Sequence, residues 1–125
     1  MSYNLRISVK ISGCDGYAVI AYPAFIQPTY NLGQMFRKCM DWDYSISEKD
    51  KDGEYRHCYY NCDFAIKKIE HGLNELQTNR DKYIEYNPKN GWGNIDDAIG
   101  TLKALRECIY ELTEEIPINC LYMSW

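Results

Sequence analysis

Residues 5–12 read Leu-Arg-Ile-Ser-Val-Lys-Ile-Ser, a strict alternation of apolar and polar side chains. Side chains along a β-strand point alternately to its two faces. The pattern therefore predicts a strand whose apolar face is formed by Leu5, Ile7, Val9 and Ile11. Residues 13–16 supply turn residues, and the β-rich run from Tyr17 to Tyr22 ends at Pro23. The first 22 residues are predicted to form a β-hairpin.

Three helices are predicted after the hairpin, because apolar residues recur at i, i+3 and i+4. Their predicted bounds are, in chain order, a cap at Thr29 or Asn31 to Asp41, Cys62 to Asn79, and the Asn94 cap to Glu115. Pro117 ends the last helix, and Ile118 to Tyr122 is predicted to be a closing strand that pairs with the hairpin.

This order of elements predicts an α+β fold. A small antiparallel sheet, made of the N-terminal hairpin and the C-terminal strand, is expected to pack against about three helices. Residues 1–125 are predicted to form a single domain, since no linker divides them. Residues 43–55 are polar and mixed in charge, and we interpret them as a solvated, mobile loop rather than as a lid over a ligand.

Charge and composition narrow the classes of partner. Fourteen Lys and Arg against eighteen Asp and Glu give a net charge of −4, which opposes binding to genomic nucleic acid. No apolar run approaches a membrane span and the N-terminus lacks the apolar segment of a signal peptide, so we expect a soluble, cytoplasmic protein without a membrane partner.

The six cysteines are expected to be free thiols, because no export signal accompanies them. The one grouping that suggests chemistry is His57-Cys58 with Cys62, where a spacing of four on a helix would bring two sulfurs beside an imidazole. Zinc normally needs a further cysteine or histidine pair, and the only other histidine is His71. Buried or incidental thiols are the favoured interpretation, and no metal or cofactor is predicted.

The loop from Tyr83 to Asn94 carries the most specific pattern, Tyr-Ile-Glu-Tyr-Asn-Pro-Lys-Asn-Gly-Trp-Gly-Asn. Two glycines flank Trp92, so the backbone there is able to adopt positive φ and approach another group closely. The loop ends at a helix N-terminus, whose N–H groups and dipole suit an anion. Alternatively, Trp92 fills the core and the asparagines cap turns.

Two arginines are candidate ligand contacts. Arg106 lies at the edge of the apolar stripe of the last helix, so its guanidinium needs either an internal carboxylate or an anion at a ligand or subunit interface. Arg56 stands among tyrosines, and an arginine and an aromatic ring can hold a purine between them. The twelve tyrosines supply stacking faces or interface area, and their number does not decide between the two.

Residues 87–94, together with Thr29-Tyr30-Asn31-Leu32-Gly33-Gln34-Met35, resemble a family of small phage and bacterial proteins that includes the phage Thoeris anti-defence sponge proteins of the first type. The resemblance covers most of the chain in order, and only the Asn-Pro-x-Asn-Gly-Trp-Gly loop is specific. This chain departs from the family at the acidic segment around residues 43–54.

The resemblance implies a non-enzymatic sponge, which sequesters the cyclic ADP-ribose-type signal of a bacterial TIR-domain sensor. It also implies an oligomeric α+β protomer with ligand near a protomer interface. The matching positions that it marks as ligand-binding are Asn31, Tyr86, Asn87, Asn90, Trp92 and Asn94. Related sponges take cyclic oligonucleotides instead.

Three functions are compared. The first is sequestration of a cyclic nucleotide signal by a homodimer or larger oligomer, since one protomer of this size can hardly enclose such a ligand. The second is a protein inhibitor that binds a defence protein directly through an acidic, tyrosine-rich surface. The third is an enzyme that cleaves the same signals, which has the least support because no metal set or nucleophile and base pair is legible in the sequence.

Overall fold

The computed structural model describes residues 5–13, 16–21, 32–44, 47–49, 52–53, 55–89, 91 and 93–124. Within 47–49 and 55–57 the description is confined to the backbone. The predicted caps Thr29 and Asn31 lie outside the described residues.

A four-stranded antiparallel sheet confirms the predicted hairpin and its pairing with the C-terminal strand. Its strands are β1 (Arg6–Lys10), β2 (Tyr17–Ala21), β5 (Tyr60–Asn61) and β6 (Leu121–Ser124), in the order β2-β1-β6-β5. The bounds predicted for the last strand were wrong. Residues Ile118–Cys120 form a 3-10 turn because the Cys120 N–H donates to the carbonyl of Pro117 at 2.9 Å.

The apolar face of β1 packs on the helices. Ile7 pairs with Met123, and both are fully buried. Ile11 was expected on the same face, but β1 ends at Lys10 and Ile11 is 44% exposed at the turn. The opposite face is not open to solvent along its whole length, because Ser8 is fully buried there.

Four α-helices are present in the described part of the chain: α1 (Gly33–Met40), α2 (Cys62–Thr78), α3 (Arg80–Tyr83) and α4 (Ile95–Leu112). A short 3-10 helix (Ile84–Tyr86) follows α3. The predicted helices at 62–79 and after Asn94 are confirmed. The side chain of Asn61 caps α2 by accepting the Asp63 N–H at 3.0 Å, so the helix begins where the cap allows.

The core lies between the helices and one face of the sheet. Its largest fully buried side chains are Phe36, Ile7, Leu32, Met35, Met40, Ile69, Leu76, Leu102, Leu105, Ile109 and Leu121. Gly72 of α2 is buried where α1 approaches, and a Cβ built there would lie 2.6 Å from Cγ of Met40. No helix among the described residues is long and apolar enough to cross a membrane.

The interpretation of residues 43–55 as a loop is wrong where the structure gives strands. Ser47–Lys49 (β3) pairs with Tyr55–His57 (β4) in a two-stranded antiparallel sheet, and Gly53 has φ +84 between them. The backbone register pairs Glu48 with Arg56. Tyr44 is also buried, so the segment contributes to the core.

Candidate functional site

Tyr86 closes the 3-10 helix that enters the predicted binding loop. Its ring centroid lies 6.5 Å from that of Tyr83, at a tilt of 38°. Tyr83 is buried and Tyr86 is half-buried, packed against the edge of the core. Tyr86 therefore keeps part of its ring available to a ligand.

Asn87 leaves this helix in an extended conformation (φ −61°, ψ 129°), as a residue before proline prefers. Its N–H donates to the Ile84 carbonyl at 3.0 Å. Its side-chain Oδ1 is buried and has no hydrogen-bond donor among the described residues. Since buried polar atoms are nearly always paired, this acceptor is a candidate ligand contact.

The expectation that the loop glycines adopt positive φ is confirmed. Gly91 has φ +78 and Gly93 has φ +96, and the Gly91 N–H donates to the Pro88 carbonyl at 3.3 Å. A Cβ at Gly91 would meet no atom within 4 Å, so Gly91 is needed for the backbone conformation and not for a close approach within the protomer. Asn90 and Trp92 lie outside the described residues, and their roles stay predictions.

Asn94 acts as the N-cap of α4. Its Oδ1 accepts the Asp97 N–H at 3.0 Å, and the Asp97 carboxylate accepts the Asn94 N–H at 3.0 Å. This capping box places carboxylates where an anion would sit at a helix N-terminus. The helix end that was expected to suit an anion therefore already interacts with the protein's own acids, and Asn94 retains its Nδ2 donors for a ligand.

Arg80 reinforces this arrangement. It donates to Oδ1 of Asp96 at 2.9 Å, and that hydrogen bond holds the pKa of the Asp96 carboxyl below its ordinary value. Both side chains are exposed, so the pair adds little stability. Residues 78–82, at the junction of α2 and α3, line a surface cavity of about 300 Å³ that the sequence did not single out.

Arg106 begins the fourth turn of α4 and is half-buried, beside the buried Leu105 and Ile109 in the sequence. Its predicted position at the edge of the apolar stripe is confirmed. The ion pairs in the described part of the chain join His71 to Glu75 and Arg80 to Asp96, so the internal carboxylate considered for Arg106 is not found there.

One carboxylate of α2 is already hydrogen-bonded to a side chain of α4. Tyr110, one turn beyond Arg106, donates its hydroxyl to Glu70. Glu70 is thus held by Tyr110. Arg106 has no carboxylate partner among the described residues, so its guanidinium stays a candidate anion contact.

The candidate residues that the structure describes lie at two places along the chain. Arg106 follows Asn94 by twelve residues on one helix, which separates them by about 18 Å along its axis. Arg56 lies in β4, and the description of that strand is of its backbone. Asn31 lies outside the described residues. Tyr86, Asn87 and Asn94 are brought to one loop, and Arg106 stands apart from them.

The thiols are poor candidates for catalysis. The helix α2 begins at Cys62, so Cys58 does not share its face as the spacing of four had suggested. Burial, and to a smaller extent the nearby Cys108, raises the pKa of Cys62 to about 12. Burial also raises the pKa of Cys39 to about 12. These thiols stay protonated at neutral pH. Among the described residues no group of three or more His, Cys, Asp or Glu is arranged to hold a metal ion.

Comparison of the chain with family models, with curated proteins and with solved structures finds no match.

Proposed function

We propose that this protein is a phage anti-defence sponge, which binds a cyclic ADP-ribose-type immune signal and withholds it from its effector without cleaving it. The observation that supports this most is Arg106, a half-buried arginine with no carboxylate partner among the described residues. A phosphate of the ligand supplies the missing partner through charge-assisted hydrogen bonds. The Asn-Pro-x-Asn-Gly-Trp-Gly loop supplies the resemblance that names the ligand class.

The separation of about 18 Å between Arg106 and Asn94 supports a site built from two protomers. In a symmetric dimer Arg106 of one protomer faces the loop of its partner, and the same contact occurs twice. The proposed assembly is therefore a homodimer or a multiple of it.

The two buried thiols, Cys39 and Cys62, offer no thiolate nucleophile for cleavage. Cys39 and Cys62 are protonated at neutral pH because burial raises their pKa values to about 12, and a thiol is a weak nucleophile compared with a thiolate.

A protein inhibitor is the second candidate, favoured by apolar side chains on the hairpin. Ile11, Val19 and Ile20 are 44%, 38% and 39% exposed, which leaves apolar surface on the hairpin for contact with a protein. In that case the protein captures a defence protein and has no affinity for a nucleotide.

Calorimetric titration with cyclic ADP-ribose tests the proposal. A sponge binds cyclic ADP-ribose, and Arg106→Ala weakens this binding. The exposed Arg80→Ala is the control: it removes a positive charge elsewhere and leaves binding unchanged. Absence of binding to the unmodified protein contradicts the proposal for this ligand class and favours the inhibitor. Recovery of a cleaved ligand after denaturation of the protein would instead identify an enzyme.

A further inference from the structure

The face of the four-stranded sheet opposite to Ile7, here called the outer face, carries positive charge only. Every second residue of β1 lies on this face, namely Arg6, Ser8 and Lys10. Arg6 and Lys10 are the charged residues of the four strands, which contain no acid, although the chain has a net charge of −4. The outer face is therefore a local exception to the acidic character of the protein.

Three buried donors on this face have no hydrogen-bond partner in the part of the chain that the structure describes: Ser8 Oγ, Ser124 Oγ and Arg6 Nε. Both serines are 0% exposed. In the pairing of β1 with β6, Arg6 lies opposite Ser124 and Ser8 lies opposite the next residue on the same face, Tyr122. Side chains in such positions lie about 5 to 8 Å apart, within reach of one bound group.

Tyrosine rings lie over these donors. Tyr17, across from Lys10, and Tyr122, across from Ser8, meet over β1 with ring centroids 5.2 Å apart, edge to face. Tyr59 stacks on Tyr17 at 3.8 Å with an interplanar angle of 5°. All three tyrosines are half-buried, and a ligand that reaches the serines requires their side chains to rotate away. A planar ring that replaces Tyr59 on Tyr17 would meet the same stacking surface.

We propose that the outer face binds the phosphate group of a ligand that also contains an aromatic ring. Arg6, Ser8 and Ser124 donate hydrogen bonds to the phosphate, and the ring stacks on Tyr17. An arginine with two hydroxyls presents donors and no acidic group, the combination that recognises an oxyanion. Buried donors without acceptors destabilise the ligand-free fold, and the phosphate oxygens satisfy all three. The inference does not rest on the proposed function, because Arg106 takes no part in this site.

The thermal stability of ligand-free variants gives the first test. If the hydroxyls have no partner, Ser8→Ala and Ser124→Ala melt at the same temperature as the unmodified protein or higher, since each removes an unsatisfied polar group. The exposed Ser12→Ala is the matched control and leaves the melting temperature unchanged. A lower melting temperature for both buried-serine variants means that the hydroxyls are already paired, and it overturns the proposal.

Titration with adenosine 5′-monophosphate and with inorganic phosphate gives the second test. We expect the nucleotide to bind at least tenfold more tightly than phosphate, and each of Ser8→Ala, Ser124→Ala and Arg6→Gln to weaken it at least tenfold. Tyr17→Leu should remove the advantage of the nucleotide over phosphate.

Arg37→Gln is the control for Arg6→Gln. Arg37 also has a buried Nε without a hydrogen-bond partner among the described residues, but it lies on α1. Failure of both probes to bind, or equal binding by the serine variants, overturns the proposal. The exposed Arg80→Ala lies outside both proposed sites and leaves nucleotide binding unchanged.

Discussion

Replacing Gly72 by alanine should destabilise the protein, although alanine is the better helix former. A Cβ at this position would lie 2.6 Å from Cγ of Met40, 3.2 Å from Sγ of Cys39 and 3.3 Å from Cδ1 of Leu102. The first contact is far inside the normal range and falls near the base of the methionine side chain. Two helices enclose the position, so α1 must shift to make room.

The magnitude follows from two opposing effects. Gly→Ala inside a helix gains about 1 kcal/mol, and overpacking a close-packed core costs about 1 to 3 kcal/mol. With three contacts tighter than normal we take the upper part of that cost, which leaves a net loss of about 1 to 2 kcal/mol. An unfolding entropy of about 2.1 cal/mol/K per residue over 125 residues converts this loss into a fall in Tm of about 4 to 8 °C.

Thermal and urea denaturation measure the loss, with exposed Asn74→Ala in the same helix as the control for helix propensity. The Met40→Ala background provides the sharper comparison, because removal of Cγ leaves room for the new methyl. There Gly72→Ala should stabilise the protein, and the two substitutions should not be additive. A Gly72→Ala protein at least as stable as the original would refute the proposed close approach of α1 and α2.

Arg106→Ala should weaken binding of the cyclic signal about 30- to 1,000-fold, the equivalent of about 2 to 4 kcal/mol, at an unchanged Tm; calorimetry and melting curves check the two parts. Asn94→Ala should lower the free energy of unfolding by about 1 kcal/mol, seen in urea denaturation, because the Asp97 N–H loses its acceptor. Stability should fall as pH rises from about 9 towards 12. Cys39 and Cys62 have pKa values of about 12 in the folded protein against an ordinary value of 9.0, so their contribution to the free energy of unfolding is complete below pH 9 and is lost as the pH rises through 12. Urea denaturation at several pH values should show a smaller fall in stability for Cys62→Ala.

The parts of the fold that local sequence determines were predictable. Asn61 and Asn94 cap their helices with their own side chains, and the apolar periodicity that follows each one is a local property. The β1–β2 hairpin is likewise local, since alternation and a glycine turn define it.

Errors arose where the pairing of strands, rather than the composition of one segment, decides the structure. The register of β3 on β4 sets Glu48 opposite Arg56, and a count of charges within one segment does not show this. Ser8 is a similar case: its position in the strand was evident, but its burial depends on β6, more than a hundred residues later.

The candidate site was predictable only as a set of residues. The loop pattern located Tyr86, Asn87 and Asn94, and helical periodicity located Arg106. The Asn94 cap and the spacing of twelve residues between Asn94 and Arg106 on one helix were also predictable. The sequence did not show which polar atoms of the loop lack a partner, such as the buried Oδ1 of Asn87.

The central claim, that the protein holds an intact cyclic nucleotide between protomers, is tested most directly by native mass spectrometry of the protein mixed with cyclic ADP-ribose. One spectrum reports the number of protomers and the mass of the bound ligand. We expect a dimer or larger assembly that carries the ligand at its unaltered mass. A ligand-free monomer, or an assembly that carries the hydrolysed nucleotide, would contradict the claim.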